Sequence, residues 1–109
     1  MKNTELDLTL KEIRAAQAEI ALEMDDAQLS PAGQRNLEKA SLHMRNLERL
    51  LVESMEATLI KDLKNETSSL NGLVDEMNKT AGELFKITGI LGKVVRITGQ
   101  LIDVLAKVL

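Results

Sequence analysis

Apolar side chains recur at steps of three and four residues through most of this chain, which commits it to helices that bury one face against other helices. Leu6, Leu10, Ile13, Ile20, Met24 and Ala27 follow the spacing, with Gln17 filling one slot. Leu37, Ala40, Met44, Leu47, Leu51, Met55, Leu59 and Leu63 continue it. Composition agrees, because strong helix formers dominate and Phe85 is the sole aromatic residue among 109. A chain of this length is expected to form one domain over 1–109 with a modest core.

Two stretches interrupt the pattern. In "QLSPAGQ", Ser30 suits an N-cap, and Pro31, the only proline, suits the first helical position, where its missing N–H costs nothing. Asn3 or Thr4 would cap the first helix, with Glu5 and Asp7 in its first turn, where acids complement the helix dipole. "NETSSLNG", residues 65–72, collects side chains that compete with helix by bonding their own backbone, so it reads as a turn or as a weak point in one long helix. The expected fold is therefore all-α with coiled-coil-like packing. It is an antiparallel bundle of three helices near 4–28, 31–65 and 69–109, or a long helical hairpin if the middle stretch stays helical.

The tail carries three parallel tracks at seven-residue steps: Leu70, Met77, Leu84, Leu91, Thr98 and Leu105; then Leu73, Thr80, Ile87, Val94, Leu101 and Val108; then Val74, Ala81, Thr88, Val95, Ile102 and Leu109. Lys79, Lys86, Lys93 and Lys107 form a line across the wheel, so a helix fits and a period-two strand does not. From Ile90 onward a fourth track, Ile90, Ile97 and Val104, widens the apolar arc beyond what two neighbouring helices would cover. Gly92, Gly99 and Ala106 share a track beside it and are expected to admit a second helix closely, offsetting the roughly 0.8–1 kcal/mol that each helical glycine costs relative to Ala.

Chemistry is scarce. His43 is the only histidine, and no acid stands three or four residues from it for a helical metal site, so a solvated or simply hydrogen-bonded side chain is expected. "GILGK" lacks the glycine spacing and the Ser or Thr of a phosphate-binding loop, and no serine sits in a Gly-x-Ser-x-Gly elbow. There is no cysteine for a disulfide, a thiol nucleophile or a thiolate metal site. Neither an enzyme, a cofactor, a metal nor a small-molecule substrate is expected. Glu5, Asp7 and Glu12 interrupt any apolar core of an export signal, and Lys86, Lys93 and Arg96 break up the tail, so the default expectation is a cytoplasmic protein.

The net charge of −3 is unevenly spread: residues 1–77 hold nine Lys or Arg against fifteen Asp or Glu, and residues 78–109 hold five against two. A basic tail and an acidic remainder suit packing on each other, self-association or an anionic surface. Without stacking aromatics or a basic face, nucleic acid is not an expected partner. The function these features imply is a helical interaction or assembly module that forms homo-oligomers or binds a partner helix. Its contact residues would be Ile90, Leu91, Val94, Ile97, Gly99, Leu101, Val104 and Leu105. The alternative is a peripheral membrane protein whose basic, amphipathic C-terminal helix lies in the lipid interface.

Overall fold

A computed structural model describes residues 4–24, 30–53, 56–79 and 85–108. They form four α-helices: α1 Thr4–Met24, α2 Pro31–Glu53, α3 Glu56–Asn78 and α4 Phe85–Val108. The expected all-helical architecture holds, and the expected helix count does not. Each helix packs on two others, α1 on α2 and α4, and α3 on α2 and α4, so the four close into a ring around one core. Short connections between successive helices make neighbours antiparallel, and the rod measures 44 × 22 × 17 Å.

Two expected boundaries are corrected. Residues 65–72 do not turn but run through the middle of α3, and the helix expected from 31 to 65 ends at Glu53. The last helix begins at Phe85, not near 69. The reason is burial on the scale of the whole chain. A continuous helix over 31–78 would offer α1 and α4 separate halves of its length, leaving two half-covered pairs. Reversal between Glu53 and Glu56 brings all four apolar stripes onto one core, where Leu51 and Leu59 are both buried. Within α3, Leu63, Leu70, Leu73, Val74 and Met77 face that core. The weak helix formers Asn65, Ser68, Ser69, Asn71 and Gly72 are all exposed, so the backbone stays helical at modest local cost. α3 closes in a tightened last turn, Lys79 N–H donating to the Glu76 carbonyl at 3.2 Å.

The start of α2 follows its sequence signals. Ser30 Oγ accepts the Gly33 N–H at 3.0 Å, and the Ser30 carbonyl accepts the Gln34 N–H at 2.9 Å. Pro31 occupies the first helical position. The core is built from Ile13 and Ile20 of α1, Leu37, Met44 and Leu47 of α2, Leu63, Leu70 and Met77 of α3, and Ile87, Leu91 and Leu101 of α4, all fully enclosed. Core or cap roles expected for Asn3, Thr4, Met24, Ala27, Met55, Thr80, Ala81, Leu84, Val108 and Leu109 fall outside the described side chains.

Polar groups inside the bundle are matched. Thr67 Oγ1 donates to Thr98 Oγ1 at 3.1 Å, and the Thr98 hydroxyl lies 3.0 Å from the Val94 carbonyl of its own helix, linking α3 to α4. Thr9 donates to the Glu5 carbonyl at 2.7 Å. Among the described residues, no buried side-chain nitrogen or oxygen lacks a partner.

Candidate functional site

The bundle absorbs much of the face expected to bind a partner. Leu91, Val94, Leu101 and Leu105 are buried in the chain's own core, while Ile90, Ile97, Gly99 and Val104 are half-buried at its edges. The widened arc of the tail is therefore covered by α1 and α3 together. Two helices flank α4, as many as a three-helix bundle would supply, and they bury all of the arc but its edges.

Ile90 and Ile97 emerge on the flank of α4 that meets α1, and there the packing is incomplete. A groove of about 340 Å³ runs between the two helices. Its floor is Ala16 and Val94, its walls include Ile90 and Ile97, and Ala15 and Gly89 leave it open because neither has a side chain long enough to fill it. Charges form the rim. Lys93 reaches across to Glu12 at 3.6 Å, Lys86 pairs with Glu23 at 3.2 Å, and Glu19 stands beside them. Lys86 is 75% exposed and Lys93 58%, so these are solvated pairs worth about 0–1 kcal/mol each. Lys86 and Lys93 of the tail's lysine line thus lie along α1.

Beside the groove α1 exposes two leucines, Leu8 at 52% and Leu22 at 73%. With Ala15 they lie at seven-residue steps, on one stripe that faces away from Ile13, Ala16 and Ile20. The spacing was visible in the sequence. It escaped notice because the core stripe of α1 accounts for the helix without it.

Gly99 behaves differently. By helical geometry it lies on the flank of α4 away from α1, and a Cβ added at Gly92 or Gly99 would meet nothing within 4 Å. The close helix contact expected along that track is not made within the chain.

Elsewhere, His43 Nδ1 lies 2.7 Å from Glu66 Oε1, which also accepts from Asn46 Nδ2 at 3.1 Å, tying α2 to α3. Glu66 is far from His43 in sequence, so spacing along the chain gave no hint of it. Glu48 turns to α1: Arg14 Nε donates to it at 2.6 Å and Gln17 Nε2 at 3.0 Å. The Arg14 hydrogen bond, then that from Gln17, holds the Glu48 carboxyl below the ordinary glutamate value of 4.5. Among the described residues, no group of three His, Cys, Asp or Glu side chains is arranged to hold a metal ion, and no helix is long and apolar enough to cross a membrane.

No protein-family model matches the chain, and no curated protein or solved structure shows significant similarity to it.

Proposed function

We propose that this protein is a non-enzymatic helical interaction module whose binding face is the side of the bundle formed by α1 and α4. The observation that carries this reading is the open apolar groove between α1 and α4, beside which α1 exposes Leu8 and Leu22. Compared with the eight contact residues expected from sequence, the proposed face keeps Ile90 and Ile97, and adds Leu8, Ala15 and Leu22 from α1. The buried members of that set support the fold instead. A lipid-bound α4 is the less favoured reading, because leaving the bundle would uncover Leu91, Leu101 and Leu105 at roughly 1.5–3 kcal/mol for each large side chain.

The absence of native cysteine makes the test direct. A photo-crosslinker on Ala15→Cys, in cells producing the protein, should give protein adducts well above those from Lys64→Cys on the exposed side of α3. Adducts to lipid alone would replace this reading with the membrane one. Equal labelling from both sites would overturn it.

A further inference from the structure

We infer that the occupant of the α1–α4 face is a second copy of this chain, docked crosswise so that α1 of each copy lies over α4 of the other. The inference rests on the interaction face proposed above and adds the identity and geometry of the partner.

Charge complementarity selects the partner. α1 carries Glu5, Asp7, Glu12, Glu19 and Glu23 against Lys11 and Arg14, a net of −3. α4 carries Lys86, Lys93, Arg96 and Lys107 against Asp103, a net of +3. A face with one acidic and one basic bank is complementary to itself under a single operation, a two-fold axis parallel to the helices. That axis places α1 over the second copy's α4 and preserves height along the bundle. The register follows from the ion pairs within one chain. Glu12 pairs with Lys93, and one seven-residue step along each antiparallel helix leads to Glu19 and Lys86, so the axis brings Glu12 and Glu19 of each copy over Lys93 and Lys86 of the other. A two-fold axis perpendicular to the helices would set α1 on α1 and α4 on α4, opposing like charges twice. Closed two-fold pairs are also the commonest homo-oligomers.

Size admits a specific contact. Two helices about 10 Å wide and about 30 Å long present about 600 Å² per copy, or about 1,200 Å² in total, the lower bound for a specific interface. Burial of Ile90 and Ile97 supplies the apolar centre, Leu8 and Leu22 extend it toward the two ends of α1, and the charges supply orientation. A reversible dimer in the micromolar range is the expected outcome.

The experiment is a charge swap read by sedimentation equilibrium, with circular dichroism melts confirming that every variant is folded. The first variant is Glu12→Lys with Glu19→Lys, and the second is Lys86→Glu with Lys93→Glu. In the crosswise dimer each variant alone opposes like charges at both contacts, so self-association should weaken by about ten-fold or more. An equimolar mixture restores opposite charges at both contacts and should form a heterodimer as tight as the wild-type pair.

Disulfide trapping serves as a second measurement should either swap fail to fold. Ala15→Cys should cross-link to Gly89→Cys in a mixture far faster than either cross-links to itself. A wild-type protein that stays monomeric at high micromolar concentration would overturn the inference. So would swapped variants that associate as well as wild type, or a mixture that stays monomeric. If purified protein is monomeric while Ala15→Cys still captures another protein in cells, the second copy is excluded and the interaction face stands.

Discussion

The two flanks of α4 are built from different materials. Against α3, Thr88, Val95 and Ile102 complete a seam in which buried Thr98 meets half-buried Thr67 across the helices, and the adjoining α2–α3 seam carries the His43, Asn46 and Glu66 cluster. Against α1, the same helix offers Gly89, Ile90 and Ile97 to a pair of alanines, and solvated lysines span the gap. Directional hydrogen bonds among half-buried groups hold one arrangement, because leaving them unmade away from water is costly. Exposed ion pairs over small side chains hold position loosely and leave surface to spare. One helix can thus be structural on one flank and available on the other.

The sharpest way to break this contrast is to truncate one leucine on each side of it. Leu70→Ala, in the fully enclosed part of α3, should cost about 2–5 kcal/mol in denaturant melts. Leu22→Ala should stay within about 0.5 kcal/mol, because the side chain already stands in water. Equal losses would show that α1 is buried more evenly than the structure has it.

A milder probe removes the threonine link. Thr98→Val keeps the shape but deletes the hydroxyl that Thr67 meets, and should cost about 0.5–1.5 kcal/mol. The same change should leave self-association untouched, since the site faces α3. A loss of association by sedimentation would mean that the two flanks are coupled.

Gly99→Ala should move stability the other way, by about 0.5–1 kcal/mol, because open space surrounds the added methyl and the unfolded chain loses freedom. Gly99→Leu should be tolerated as well. A Leu variant that unfolds more readily than the Ala variant would reinstate a close helix contact on that flank.

The smallest effect concerns the polar link between α1 and α2. Because the folded Glu48 carboxyl titrates below 4.5, its contribution is complete above that value and is lost as the pH falls through the lowered folded pKa. Glu48→Gln should therefore cost a few tenths of a kcal/mol at about pH 7, as exposed pairs do. The difference from wild type should shrink as the pH falls through that lowered pKa and the carboxyl takes up its proton. A difference that grows on acidification would contradict this sign.

Much of the fold was legible before any coordinates. Apolar spacing marks the helical faces, and Ser30 with Pro31 marks the start of α2, because capping and periodicity act within a few residues. Where the chain reverses was not legible. The stripe runs from Leu51 to Leu59 in steps a single helix would also produce, so the end of α2 leaves no trace in periodicity. Conversely "NETSSLNG" resembles a turn until Leu63, Leu70 and Met77 are seen to need one continuous helix to reach the same core. The candidate site was half legible for a related reason. A wide apolar arc on α4 shows that cover is needed, but whether the cover comes from inside the chain depends on the number of helices. His43 with Glu66, and Arg14 with Glu48, join positions more than twenty residues apart, beyond any local pattern.

The antiparallel pairing of α1 with α4 sets Thr4 and Val108 at the same end of the rod, since Glu12 meets Lys93 and Glu23 meets Lys86 further along. Tension applied at those two helix ends would pull across the axes of α1 and α4 rather than along them. The seam would part like a zipper, one turn at a time, Glu12 releasing Lys93 before Glu23 releases Lys86. Load applied instead at Thr4 and Phe85, which lie at opposite ends of the rod, would have to slide α1 along α4 and break all of their contacts at once. The molecule is therefore mechanically anisotropic, peeling easily when both handles share an end and resisting when they do not.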